Sequence, residues 1–384
     1  MGSAVTSVLP PLSLYIHVPW CLQKCPYCDF NSHASETRTI PEQEYVDCLL
    51  EDLRQEVGLS QGRPLQSIFI GGGTPSLLSA EALARLLAGV RQEITCVPNM
   101  EITLEANPGT FEVARFAGFQ MAGVNRLSIG VQSFDDGCLQ SLGRVHNASQ
   151  AKEAIAAAKQ LGYGHLNIDL MHGLPHQTEA MAKADLQQAI DLAPDHLSWY
   201  QLTLEPNTLF YSQPPVLPDE DVVVNIQDAG QILLQGAGFE QYEISAWSQP
   251  GNEAKHNLNY WRFGDYLGIG AGAHGKVSCL LDNQMVVKRR VKLRQPKAYM
   301  QALQPLSSVD AVTPLDLPLE FFMNVLRLRQ GVEESLYAAR TGQELAQVSA
   351  LANLRQRGLI AADRLQATEL GWRFLNEVLA AFEH

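Results

Sequence analysis

Tyr15-Ile16-His17-Val18-Pro19-Trp20-Cys21-Leu22-Gln23-Lys24-Cys25-Pro26-Tyr27-Cys28-Asp29-Phe30 sets three cysteines at C-x₃-C-x₂-C spacing just behind an apolar run. That run, 12–18, reads as a first strand. A structural zinc site takes four protein ligands, and no fourth donor with the usual pairing stands nearby. A four-iron cluster also has four corners, each normally closed by a cysteine thiolate. Three thiolates leave one iron open to a small chelator, and the amine and carboxylate of an amino acid can grip it together. Three unrelated core cysteines within eight residues fit poorly in a chain that holds only 7.

Outward from this stretch, short β-branched runs alternate with segments of helical period as far as about Pro206. Strands are predicted at 12–18, 67–70, 101–105, 126–131, 165–170 and 196–204, and helices at 45–57, 80–93, 111–122, 149–161 and 179–192. Six β-α units in succession predict a parallel sheet with helices outside it. Six are too few for a closed eight-stranded ring and suit an open three-quarter (β/α)6 barrel. Such folds gather ligands at the carboxyl ends of their strands, and the glycine-rich and polar clusters fall there. Gly71-Gly72-Gly73-Thr74-Pro75 follows strand two, Glu105-Ala106-Asn107-Pro108-Gly109 ends strand three, and Gly130-Val131-Gln132-Ser133-Phe134 ends strand four. Asp169-Leu170-Met171-His172-Gly173 ends strand five. Backbone at the triple glycine can approach a ligand closely because no Cβ intervenes. Glu105 can accept from hydroxyls or an amine, Arg144 offers a fork for a carboxylate, and Asp169 is an acid inside an apolar strand, costly unless paired.

The net charge of −13 argues against nucleic acid or an anionic membrane as the main partner. The basic stretch Lys288-Arg289-Arg290 and Lys292 is predicted to form a solvated strand face. Cys48, Cys96, Cys138 and Cys279 stand singly among apolar neighbours, which predicts core residues in a reducing, cytoplasmic setting. No apolar run is long enough to span a membrane, and no signal peptide is expected at the start.

The organisation predicted is a short tail 1–11, the barrel 12–210, an extension 211–310 and a C-terminal domain 311–384. The extension carries His256-Asn257-Leu258-Asn259-Tyr260-Trp261 and the glycine run Gly268–Gly275, predicted as a close-approach loop or a lid on the barrel mouth. A hairpin over 277–291, turning at Asp282-Asn283, follows. Helices at 319–328, 333–339 and 345–357, a wing-like pair at 359–367 and a last helix at 370–382 predict a winged-helix-like α+β domain. It lacks a basic recognition face and is expected to act as a lid or partner surface.

Taken together, the cysteine loop, Gly-Gly-Gly-Thr-Pro, Gly-Val-Gln-Ser-Phe and Asp-Leu-Met-His-Gly-Leu-Pro resemble the coproporphyrinogen III dehydrogenase-like branch of the radical-SAM superfamily over nearly the whole chain. Within that branch the chain is most similar to the heme chaperones. Phe30 stands where the dehydrogenases carry a fourth cysteine, the segment before strand one is short, and 256–261 fits the H-N-x-x-Y-W motif of the chaperones. The resemblance implies that Cys21, Cys25 and Cys28 hold a [4Fe–4S] cluster and that Tyr15, Gly72 and Glu105 contact S-adenosylmethionine (SAM) on its open iron. Tyr27, Gly73, Thr74, Gln132, Arg144 and Asp169 match positions lining a second SAM site in the dehydrogenases. It further implies electron transfer from the cluster into the sulfonium, heme as cargo, apo-hemoprotein acceptors including respiratory-chain ones, and a homodimer.

Two functions stay open on sequence. One is a heme carrier, with His256 as a candidate axial ligand beside Tyr260 and Trp261, and His274 as a weaker candidate. The bland alternative for His256 is a satisfied histidine in an aromatic loop. The other function is oxidative decarboxylation of coproporphyrinogen III, against which Phe30 and the short start count. A further radical-SAM reaction, such as methyl transfer, has no distinguishing motif here.

Overall fold

In the computed structural model, which describes residues 9–35, 40–109, 113–282 and 284–383, six parallel strands form the predicted arch. They are β1 (Leu12–Val18), β2 (Leu65–Gly72), β3 (Cys96–Ala106), β4 (Arg126–Gln132), β5 (His165–His172) and β6 (His196–Gln201). Six of the seven β1 residues are buried, as befits a parallel strand covered on both faces. The outer layer is α1 (Glu42–Glu56), α2 (Ala80–Glu93), α3 (Phe116–Ala122), α4 (Ala148–Gln160), α5 (Glu179–Asp191) and α6 (Glu220–Gly236). On α2 the apolar positions Leu83, Leu86, Leu87 and Val90 recur at helical spacing and are fully buried. Side-chain caps fix several starts: Ser79 for α2, Thr178 for α5, and a reciprocal Asn147–Gln150 box for α4. Predicted residues 111–112 of the third helix lie outside the described residues, as do the tail 1–8 and Asn283 of the hairpin turn.

The sheet does not stop at six strands. Short β7 (Glu240–Gln241) and β8 (Ala246–Ser248) extend the β6 edge antiparallel. After helix α7 (Lys255–Trp261), β9 (Asp265–Ile269) runs parallel to β1 on its other side, with Leu12 facing Asp265 and Ile16 facing Ile269. The hairpin β10 (His274–Leu281) and β11 (Gln284–Lys292), then helix α8 (Pro296–Gln301) and strand β12 (Leu306–Ala311), complete a twelve-stranded open sheet.

Two expectations for this extension are corrected. The glycine run is no lid: it leaves β9 beneath the exit of β1 and packs on the cysteine loop. A Cβ on Gly272, at φ +81°, would lie 2.2 Å from Asn31 Nδ2, and that amide donates to the carbonyls of Ala271 and Arg294 at 2.9 Å each. The basic stretch is no solvated face either. Lys292 is buried between Asp52 and Glu56, 2.6 Å from each, and Arg290 pairs with Glu56 at 2.7 Å. Pattern reading missed this because the matching acids sit on α1, more than 230 residues earlier in the chain.

Beyond β12, α9 (Leu317–Val325), α10 (Ser335–Thr341) and α11 (Ser349–Gln356) surround a second apolar cluster. The wing is reduced to single bridges, Ile360 with Ala367 and Val332 with Leu365. The last predicted helix is broken at Phe374 into Glu369–Arg373 and Leu375–Ala380. Phe263 and Val287 from the extension join this cluster, and Arg327 lies over the Trp261 ring at 4.2 Å.

Candidate functional site

At the carboxyl ends of β1 to β6 one cavity of about 330 Å³ collects residues from every one of these strands or the loop that follows it. Cys21, Cys25, Cys28 and Tyr27 come from the loop after β1, Gly72, Gly73 and Thr74 from β2 and its turn, Glu105 from β3, Gln132 from β4, Arg144 from the segment beyond it, and Asp169 from β5. Sequence reasoning did not single out Ser128, Ser198 and Tyr200, which also line it. Their signal was a polar residue at inward, alternate positions of otherwise apolar strands.

Although the three thiols share this cavity, among the described residues no three His, Cys, Asp or Glu side chains converge closely enough for a single ion. Three thiols at one cavity suit three corners of a four-iron cluster, whereas a structural zinc takes four protein ligands. Burial pushes the Cys21 and Cys28 thiols up, so metal binding must displace their protons. Arg144 Nη1 donates to Cys25 Sγ at 3.5 Å, while Nη2 donates to Asn107 Oδ1 at 2.7 Å and to the Gly130 carbonyl at 2.8 Å. Those bonds make Arg144 a brace between the thiol loop, β3 and β4, with less freedom to hold a ligand carboxylate than its fork alone suggests.

The loop is held by short backbone bonds across the β1–β2 exit. Gly73 N donates to Val18 O and Thr74 N to Trp20 O, each at 2.7 Å. His17 Nε2 donates to Asn31 O at 2.8 Å, which leaves Nδ1 to accept from the Tyr15 hydroxyl at 2.7 Å. Gly72 adopts φ +113°, and a Cβ there would lie 2.5 Å from the His17 ring, so only glycine fits this approach. Its N–H donates to Glu105 Oε2 at 3.1 Å. Tyr15 itself is not in the cavity lining. It stands one layer behind, stacked on Phe69 at 5.9 Å.

Glu105 and Asp169 face one another across the floor. Burial and the Asp169 charge push the Glu105 carboxyl up to about 8, against the hydrogen bond from Gly72. Burial also raises Asp169, opposed by hydrogen bonds from Ser198, Asn167 and Ser128. A carboxyl that keeps its proton to about pH 8 when folded, but only to about 4.3 when unfolded, makes the folded chain bind the extra proton between those values. Stability therefore falls as pH rises through that window. Glu105→Gln is expected to flatten the slope, so the cofactor-free variant should gain on the parent protein toward pH 8 in urea unfolding. An unchanged slope would assign the titration to another group.

His256 is not brought to this cavity. It is buried, with Nδ1 2.9 Å from Glu101 Oε1 and its ring stacked on Phe69 at 4.4 Å and 9°. Glu101 in turn pairs with buried Arg126 at 3.0 Å. Burial opposes ionisation of Glu101, but hydrogen bonds and charge from His256, together with Arg126, hold its pKa below the usual range. The space beside His256 is a chamber of about 130 Å³, below the roughly 300–1,000 Å³ of sites for drug-sized ligands. As placed, the residue is a satisfied core histidine and no open heme face. Tyr260 packs edge-on against Tyr266 at 4.8 Å, and His274 is exposed on β10.

Residues 15–189 match the Radical SAM superfamily model and residues 312–374 the HemN C-terminal domain model. A radical-SAM domain implies a [4Fe–4S] cluster and SAM, in keeping with the three-thiol cavity. The chain is 52% identical to heme chaperone HemW of Escherichia coli K12, over 97% of this chain and 98% of that protein. It is 43% identical to mouse radical S-adenosyl methionine domain-containing protein 1, mitochondrial, over 75% of this chain and 66% of that protein. The solved structure of coproporphyrinogen III oxidase (HemN) from Escherichia coli superposes with a TM-score of 0.81 at 23% identity, over 99% of this chain and 92% of that one, a likeness of fold. The chain therefore belongs to the HemW family of the radical-SAM superfamily.

Proposed function

We propose that this protein is a cytoplasmic heme chaperone, which binds heme and passes it to apo-hemoproteins from a frame carrying a [4Fe–4S] cluster and SAM. The observation that carries the reading is identity of 52% and 51% to two proteins named heme chaperone HemW, each matched over at least 97% of both chains. The three-thiol cavity supports the cofactor part. Cys21, Cys25 and Cys28 would hold the cluster, leaving one iron for the amine and carboxylate of SAM. A reduced cluster supplies an electron to the SAM sulfonium. Around it the chain's residues position and shield: Glu105 and the Gly72 turn border the ligand, Tyr15 keeps the His17 tautomer that secures the loop, and Arg144 steadies Cys25. Tyr27, Gly73, Thr74, Gln132 and Asp169 line the same cavity and are available to a second SAM. No helix among the described residues is long and apolar enough to cross a membrane.

Decarboxylation of coproporphyrinogen III is the competing reading, favoured by the shared fold alone. Anaerobic reconstitution followed by two assays separates them. Heme titration is expected to give a saturable Soret band, and coproporphyrinogen III with SAM and a reductant is expected to give no decarboxylated product. Turnover of the porphyrinogen at enzymatic rates would overturn the carrier-only reading.

A further inference from the structure

Gln132 ends β4 with φ at +72°, left-handed backbone that a residue with a long side chain rarely adopts. The β4–β5 register slips between Gly130 and Gln132, and a bulge of this kind re-aims the side chain beside it. Here the Gln132 side chain lines the cavity, and its Oε1 accepts from the Tyr200 hydroxyl at 2.9 Å. With the oxygen so engaged, the amide offers Nε2 as a donor to a ligand. A strained turn of this sort persists only where its surroundings impose it.

The imposing group comes from α5. Asp185 Oδ2 accepts from Ser133 Oγ and Oδ1 from the Phe134 N–H, both at 2.7 Å, so one carboxylate ties down the two residues after Gln132. Ser133 Oγ accepts in turn from the Asp135 N–H at 3.0 Å. Asp185 is out of character with its place in the helix. It is 3% exposed, on a face otherwise made of Ala182, Leu186 and Ala189. Burial pushes its carboxyl up to about 6, helped by the Asp135 charge and opposed by the bonds from Ser133 and Phe134, and no cation among the described residues offsets it. A buried carboxylate without a cation is costly, and an alanine or leucine on this face would avoid the cost. What the acid supplies instead is a pair of acceptors aimed at one turn. Asp185 does not line the cavity, so its reach into it runs through Gln132.

We infer that Asp185 is a positioning residue of the SAM cavity: it pins Ser133 and Phe134, and the pinned turn holds the Gln132 amide against Tyr200, ready to donate to the ligand. The inference rests on the reading that this cavity takes SAM, and adds the residue that orients one of its walls.

The test measures SAM binding by anaerobic equilibrium dialysis on the reconstituted full chain and on Asp185→Asn, Gln132→Ala, the double variant and Ser133→Ala. Asparagine keeps the shape of the acid but offers one acceptor oxygen in place of two. Iron and sulfide are expected at parental levels throughout, since the bonds removed do not involve the cluster thiols. SAM affinity should fall about tenfold in Asp185→Asn and in Gln132→Ala, and about threefold in Ser133→Ala, which keeps the Phe134 bond. The double variant should bind no more weakly than Gln132→Ala alone, because a residue that acts through another adds nothing once that other is gone. Parental affinity in Asp185→Asn or, if that variant does not fold, in Ser133→Ala would overturn the positioning role. So would parental affinity in Gln132→Ala, or losses that multiply in the double variant, as general loosening of the fold would give. No SAM binding by the parent protein at full iron content would overturn the reading of the cavity itself.

Discussion

Cys25→Ala is expected to strip the brown iron–sulfur chromophore from the protein, with iron and sulfide falling to background after anaerobic reconstitution. A cluster left with two protein thiolates has two open corners, and no other cysteine is available to close one. Cys48 belongs to α1, Cys138 is buried, and Cys96 and Cys279 belong to β3 and β10. The fold should survive, because Cys25 lies in an irregular loop, is only partly buried, and its thiol meets only the polar groups of Arg144, at 3.5 Å, and Tyr27 among the hydrogen bonds of the described residues. Circular dichroism and the urea midpoint of the cofactor-free chain are therefore expected to stay near those of the parent protein. Parental iron content in this variant would remove the three-thiol assignment.

Lys292→Met should produce the largest loss of stability, about 3–5 kcal/mol, as follows when one partner of a buried charge group is deleted. Lys292 is 2% exposed and contacts Asp52 and Glu56, themselves almost inaccessible. Without the ammonium, Asp52 keeps only the Tyr299 hydroxyl at 2.7 Å and the Gly270 N–H at 3.2 Å, while Glu56 keeps Arg290. Lys183→Met, which breaks an exposed pair with Glu179 at 3.7 Å, should cost about 0–1 kcal/mol. Urea unfolding of both variants checks the contrast. A Lys292→Met protein within about 1 kcal/mol of the parent would mean that the three charges are solvated in solution.

Much of the arch was legible because its signals are local. The strand at 12–18 and the helix at 80–93 have the boundaries expected, since the apolar period agrees with prolines on either side of the strand and with a serine cap on the helix. Thiol spacing was equally readable, because coordination chemistry dictates it. What stayed hidden depended on partners far away in sequence. Nothing near Lys292 announces Asp52 and Glu56, nothing near Gly272 announces Asn31, and nothing near Asp265 announces that its strand lies beside Leu12. His256 shows the same limit in reverse. Its motif left open an axial ligand or a satisfied histidine, and only the contacts with Glu101 and Phe69, on separate strands, place it inside the core.

The seating of β1 carries a mechanical consequence. In a bare six-stranded arch this strand would be a frayed margin, with one row of its amides facing solvent. The late-arriving β9 covers that flank, so the segment leading into Cys21 is clamped from both sides in mid-sheet. Iron is thus mounted on an inner girder, and the part of the chain that completes the clamp is translated roughly 250 residues after the thiols it steadies. A nascent chain holds its three ligands long before it holds the frame that keeps them still.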